Sequence, residues 1–348
     1  MQRPNSPSLR TRERAGVRGH REDTMAGNHT ICVGTVGTGV WLSPDGGESW
    51  RRAGGDLWNE SRVFGLIVHP AEPRTLFAGA NDGVYKSTDG GQSFAHLPSP
   101  MNELDVWRIA IDPTNPDIVF AGTRPAALYR STDAGRNWHK LAAEIAEDCP
   151  NVRIPRVTAL TVDPSDPNTV WAGIEVDGVL RSTDGGDSWS RIGLDAIPDP
   201  DIHDIAVTVN GKTTVLTSTP REIFASGDRG DSWYPLMVSD QFSLRYCRHL
   251  AQKADDPNTL FCATGNGAAG DMGAIQRSTD GGKHWQPLSL PAEPNSPIWA
   301  FATHPADPGR IVACSHYGEL FATDNAGDSW KKLRREFTEI RAISWVPN

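Results

Sequence analysis

The chain has 348 residues and a formal net charge of −9 at neutral pH, with 34 Lys and Arg against 43 Asp and Glu. That balance disfavours a strongly basic nucleic-acid binder, because sequence-independent affinity for phosphate backbones comes from clustered cations. No stretch approaches the roughly 18 apolar residues that cross a bilayer as a helix, and 34 Gly, 26 Pro and 12 Trp suit many short strands and turns rather than a helical bundle.

Residues 1–29 are polar and rich in Arg, and they lack the apolar core of a secretory signal. They read as a flexible tail, with Met25 an alternative start and a cytoplasmic location the default. Residues 30–348 read as one folded unit. Its five cysteines, Cys32, Cys149, Cys247, Cys262 and Cys314, have no CxxC spacing, which indicates neither a disulfide framework nor a zinc knuckle.

The folded unit opens on an apolar strand, Thr30-Ile-Cys-Val33, followed by the octet Ser43-Pro-Asp45-Gly-Gly47-Glu-Ser-Trp50. The pattern S-x-D-x-G-x-x-W/F returns at Ser87, Ser131, Ser182, Ser226 and Ser278, and a degenerate seventh copy runs from Thr323 to Trp330. Successive copies start 44, 44, 51, 44, 52 and 45 residues apart, a period that suits one four-stranded propeller blade each. Between octets the same strand order recurs. In the second repeat strand A is Val63 to Val68, a turn His69-Pro-Ala-Glu-Pro73 leads to strand B at Thr75 to Ala78, strand C is Gly83 to Ser87, and strand D is Ser93 to Leu97. Asp112 and Asp163 fill the slot of His69 and His304 in the A–B turns, so these histidines read as turn formers. The first repeat has no strand A, and an orphan segment, Ile340-Arg-Ala-Ile-Ser-Trp-Val-Pro347, follows the last octet. The reading is therefore all-β: a seven-bladed propeller with its ring closed by a C-terminal strand that joins the N-terminal blade, which also removes an exposed sheet edge.

Each octet closes a C–D hairpin. The Ser hydroxyl and Asp carboxylate take up nearby backbone N–H groups, the glycine supplies a positive φ, and the aromatic buries apolar area between sheets. These octets resemble the Asp-box (BNR) repeats of sialidase-like, glycosyl-hydrolase-like β-propellers, over essentially residues 30–348. The resemblance implies that the boxes lie away from any active site. Val152-Arg-Ile-Pro155 is similar to the F/Y-R-I-P signature of sialidases, but it follows the third box of seven, whereas in sialidases it precedes the first box of a six-bladed ring. Asp boxes on seven blades also occur in xyloglucanase-like hydrolases, which pair two propellers around a cleft, and the boxes are shared by photosystem-assembly-factor-like and sortilin-like propeller scaffolds.

The A–B and C–D turns share one face, so a site is expected on the other, where the D–A and B–C loops vary. Aligning the A strands gives one column of Phe64, Trp107, Thr158, Asp204 or Ile205, Arg248, Trp299 and Arg341. The next column reads Gly65, Arg108, Ala159, Ile205, His249, Ala300 and Ala342. Arg108, His249, Arg248 and Arg341 break the small or apolar pattern, and charge buried without a partner is costly. Such departures mark paired ions inside the ring or a wet pocket at the mouth. Neighbours by this alignment include Glu60, Arg62, Asp105, Arg153, Arg156, Arg245 and Glu339, and the B–C loops add Asp82, Arg124, Asp177, Arg221 and His316, with Tyr246 and Tyr317 as donors.

Three function classes follow. An enzyme would hydrolyse or eliminate a small anionic molecule or acidic sugar. Glu175 or Asp204 would be its acid or base, His203 or His249 would move protons, and Arg108, Arg124, Arg153, Arg248, Trp299, His316, Tyr317 and Arg341 would bind the anion. No cofactor is expected, although a metal variant would draw on His203, His249 and His316 with Glu175. The alternative is a non-enzymatic binding or assembly scaffold with a protein partner. No nucleic-acid or membrane partner is expected.

Overall fold

The computed structural model describes residues 29–150 and 152–348, and short strands dominate it, with a single 3-10 turn at Val238–Asp240 among the described residues. The expected tail therefore lies outside the described residues except for His29, which is already paired with Pro347. The strands form seven antiparallel sheets of four, one of them extended by Gly54–Gly55, which runs parallel to Ser93–Leu97 at its outer edge. The A strands touch one another in a closed cycle around the axis, so the protein is a seven-bladed β-propeller.

The cycle closes between the two ends of the folded region. Ile340–Pro347 is the innermost strand of the sheet that continues with His29–Thr35, Val40–Ser43 and Arg51–Arg52, in a register that sets Ile31 opposite Trp345 and Val33 opposite Ile343. Ile340, Ile343, Trp345 and Val346 are all buried. Burying side chains of this size contributes about 1.5–3 kcal/mol each, which makes the closing strand a large part of a net stability of about 5–15 kcal/mol. The apolar clusters lie between blades: one joins Ile31 and Val33 to Trp299, Val312 and Leu320 of the preceding blade. Glycines on the B strands permit this closeness. A Cβ on Gly79 would collide with the Val106 carbonyl of the next blade, and one on Gly122 would collide with Val157. All five cysteines are free and buried.

One face carries the boxes and the A–B turns. In the fourth blade, Ser182 donates to Asp184 Oδ1 at 2.7 Å, Gly186 N donates to Ser182 Oγ at 2.8 Å, Ser188 N donates to Asp184 Oδ1 at 2.9 Å, and Trp189 Nε1 donates to the Gly186 carbonyl at 3.0 Å. In the A–B turns His69 Nδ1 accepts from Glu72 N at 3.0 Å, as Asp112 Oδ1 accepts from Asn115 N at 3.1 Å, so imidazole and carboxylate do the same task.

Side-chain and backbone donors hold the Asp133, Asp184 and Asp228 carboxyls at about 2, below the usual value near 4. A depressed folded pKa contributes stability that is fully present above the unfolded pKa and is lost as pH falls through the folded one. The seventh box already uses a neutral group, with Ser329 N donating to Asn325 Oδ1 at 2.9 Å. Asp184→Asn should therefore fold and melt near wild type at pH 7, and should lose less thermal stability than wild type between about pH 4 and pH 2, measured by thermal melts across that range. An unchanged acid limb would contradict this role of the carboxylate charge.

Candidate functional site

Six of the seven A strands carry one residue more than the B strand they pair with. The unmatched residues are Phe64, Trp107, Thr158, Arg248, Trp299 and Arg341. A bulge of this kind re-aims a side chain out of the regular alternation. Only Asp204–Val209 pairs without a shift, from Asp204 opposite Ser218 onward.

Five of the six bulge residues form an interleaved stack of rings and guanidinium groups. Phe64 stacks on Trp107 at 4.3 Å with planes 16° apart, and Arg156 lies 4.1 Å over Trp107. Arg341 lies 4.4 Å from Trp299 and 5.6 Å from Trp107, and Arg248 sits 4.0 Å over Trp299. His316 stacks on Trp299 at 4.2 Å, and Tyr317 on His316 at 4.7 Å. A desolvated cation over an indole face is worth up to about 2 kcal/mol, and the rings hold the guanidinium planes in fixed orientations. Below them is a cavity of about 140 Å³, lined by Phe64, Arg108, His249, Trp299 and Arg341 among others. A second cavity of about 340 Å³ shares Leu66, Ile67, Phe301 and Ile343 with the first and leads toward the A–B turns.

Each of five carboxylates at this mouth has a partner, although Glu175 Oε2 and Asp201 Oδ1 stay buried without a hydrogen bond. Glu175 Oε1 pairs with Arg156 Nη2 at 2.6 Å, Glu339 pairs with Arg341 and lies 3.2 Å from His316 Nε2, and Asp105 pairs with Arg62 at 3.2 Å. Asp201 lies 3.4 Å from His203 Nε2, and Asp204 accepts from Leu250 N at 2.8 Å with His249 Nε2 3.8 Å away. Two cations have no such partner: among the described residues no carboxylate comes within 4.0 Å of Arg108 or Arg248. Arg248 is only 3% exposed, and Arg108 makes one hydrogen bond, to the Trp107 carbonyl at 3.0 Å.

The electrostatics follow this imbalance. Burial, and next the Arg248 charge, push Arg108 down to about 10. Burial pushes Arg156 down to about 10 as well; Glu175 opposes the shift while Arg248 and Arg341 add to it. Both remain charged at neutral pH but repel their neighbours. Burial also lowers His249, against the pull of Asp204. Glu339 is held below the usual carboxylate range, chiefly by His316.

The structure brings Arg108, Arg248, His249, Trp299, His316, Tyr317 and Arg341 together at the axis, with Glu175 attached through Arg156. His203 is engaged at both ring nitrogens, Nδ1 meeting the Cys247 carbonyl at 2.6 Å. Arg124 stands at the rim, its Nε donating to the Ile154 carbonyl at 3.2 Å. Arg153 is exposed and paired through its backbone with Cys149, with no ion pair into the mouth among the described residues. Among the described residues no three His, Cys, Asp or Glu side chains gather as a metal site: His203, His249, His316 and Glu175 each face a different partner. Sequence reasoning left Trp107, Arg156 and Glu339 outside the binding set and missed Asp201 entirely. Trp107 shares its alignment column with Trp299, a usable signal, whereas Asp201 is hidden in the run Pro198-Asp-Pro-Asp201.

Arg156→Ala leaves the buried Glu175 carboxylate without its partner and should cost about 3–5 kcal/mol of stability, whereas Arg248→Ala abandons no carboxylate and should stay within about 1 kcal/mol of wild type. Urea unfolding of the two variants measures the difference. Equal losses would mean that Arg248 is a structural ion.

A family model described as photosynthesis system II assembly factor YCF48 matches residues 151–348, and one described as sortilin, neurotensin receptor 3, matches residues 38–150. The chain is 27% identical over 240 residues to a xyloglucanase of Paenibacillus sp, a stretch that covers 63% of this chain and 21% of that protein; this chain thus spans about a fifth of its relative's length. It is 25% identical over 281 residues to the photosystem II assembly lipoprotein Ycf48 of Synechococcus sp. (strain CC9902), covering 78% of this chain and 76% of that one. A solved structure of YCF48 bound to D1 peptide superposes with a TM-score of 0.55 at 13% identity, over 78% of this chain and 81% of the other. With more than half of its length matched by one family model on a ring of seven Asp-box blades, the chain belongs to the BNR-repeat propeller family of the photosystem II assembly factor YCF48.

Proposed function

We propose that this chain is a binding module whose axial mouth captures a carboxylate, such as the free end of a peptide. The observation that carries this reading is the pair Arg108 and Arg248, both without a carboxylate within ion-pair distance among the described residues, with Arg248 buried over the Trp299 ring, while each carboxylate around them already has a partner of its own. A buried cation without a partner is expensive, and guanidinium forks recognise carboxylate by paired hydrogen bonds. An anion from outside the chain relieves both the cost and the mutual repulsion. The solved YCF48 with bound D1 peptide, and the extended match to Ycf48, support a protein-binding role over the same fold.

The test is fluorescence anisotropy with Gly/Ser hexapeptides that differ only in a free or amidated C-terminus. The free acid should bind at least tenfold more tightly, and Arg248→Ala should erase about 1.5–3 kcal/mol of that affinity with an unchanged melt. Equal binding of acid and amide would refute the reading. Glycoside hydrolysis is the second reading, favoured by the match to a xyloglucanase. Such chemistry needs a proton-donating carboxylic acid, and Asp105 is the mouth carboxylate whose pKa burial shifts upward, against the pull of Arg62. Release of reducing ends from xyloglucan oligosaccharides, abolished by Asp105→Asn, would favour it over the binding reading.

A further inference from the structure

The third blade breaks the repeat beside the mouth. In the second blade the Tyr85 hydroxyl donates to Asp82 at 2.9 Å, three residues earlier, and the Tyr85 ring packs against His96 on the neighbouring strand at 4.9 Å. In the fourth blade Asp177 fills the same slot and pairs with Arg191 at 2.6 Å. In the third blade the corresponding tyrosine is Tyr129, but the residue three before it is Ala126 and its cross-strand neighbour is the exposed Lys140. The Tyr129 side chain is buried at 4% exposure, and among the described residues its hydroxyl has no hydrogen-bond partner. Where the repeat would place a carboxylate and a ring there is a cavity of about 480 Å³, with Tyr129, Leu104, Ala127, Ile145 and Ile154 in its wall.

This pocket adjoins the mouth along three segments of chain. Leu104 is in the pocket and Asp105 at the mouth; Ala126 and Ala127 are in the pocket and Arg124 at the mouth; Ile154 is in the pocket and Arg156 at the mouth. Leu104 precedes Arg108 by four residues in one extended segment, which at about 3.3 Å per residue sets the pocket about 13 Å from that arginine. The volume has room for a large apolar side chain together with its flanking backbone, and apart from the exposed Lys140 and Glu147 the wall is apolar with one free hydroxyl, the usual make-up of a pocket that fixes orientation through few polar contacts.

We propose that the third-blade pocket seats an apolar or aromatic side chain of the same peptide whose terminal carboxylate enters the mouth, two to four residues upstream of that end, with the Tyr129 hydroxyl donating to a backbone carbonyl of the peptide. This rests on the mouth reading above. The pocket selects the partner, and the arginines set the register.

The experiment uses Gly/Ser hexapeptides with a free C-terminus, carrying Phe or Gly at the second, third or fourth residue before the end, measured by anisotropy against the full chain. Phe should improve binding about tenfold at one of these positions. Ala126→Asp restores the carboxylate found in the neighbouring blades, recaptures the Tyr129 hydroxyl, and should abolish the Phe preference while the Gly peptide binds as to wild type. Tyr129→Phe, which removes only the hydroxyl, should reduce binding of the Phe peptide about threefold and serves if Ala126→Asp fails to fold. Absence of a Phe preference at all three positions, or its survival in Ala126→Asp, overturns the pocket while discrimination of acid from amide leaves the mouth standing. Loss of that discrimination instead overturns the mouth, and the pocket's role with it.

Discussion

The mouth of this propeller depends on one recurrent irregularity, the extra residue at the entrance of six A strands. A regular strand would send Trp107, Arg248, Trp299 and Arg341 into the packed interface between blades, where Gly79 and Gly122 leave no room even for a methyl group. The bulge turns them toward the axis, and once there they solve each other's problem: flat rings give the guanidinium groups a surface that is neither water nor hydrocarbon. The seventh strand shows the converse. Without a bulge at Asp204, its carboxylate meets Leu250 N of the adjacent inner strand and serves as a bracket between blades.

Rigid scaffold and variable mouth are separated by face. The boxes and A–B turns repeat the same hydrogen bonds with interchangeable chemistry, imidazole for carboxylate at His69 and amide for carboxylate at Asn325. No such repetition holds at the mouth, where each charge has its own partner or none. The same ring supports relatives named as xyloglucanases and as assembly factors, which is expected when function resides in loops and bulges on a shared fold.

What could be read from the sequence has a physical basis. Box spacing, the missing first strand and the surplus last one are periodic features, so blade number and ring closure are legible in the sequence itself. The A-strand column was legible for the same reason: a bulge repeated at one position leaves an alignable residue. The column was ambiguous between Asp204 and Ile205, and that is the strand without a bulge. Pairings were not legible. Arg156 meets Trp107 and Arg341 meets Trp299 across blades about forty or more residues apart, and no local pattern encodes such a contact. Arg153 and Arg156 look alike in the sequence, yet the backbone pairing of Cys149 with Arg153 leaves the first exposed on the rim, while the second reaches the axis.

The central claim is that the axis holds two guanidinium groups, Arg108 and Arg248, that no carboxylate of the chain contacts directly among the described residues. A crystal of the protein soaked in bromide tests it most directly, because anomalous scattering locates a halide without reference to a chosen ligand. The account predicts a strong bromide peak within hydrogen-bond reach of Arg108 or Arg248. A mouth that stays empty while bromide occupies surface arginines, or an Arg248 found paired with Asp201 or Asp204, would contradict it.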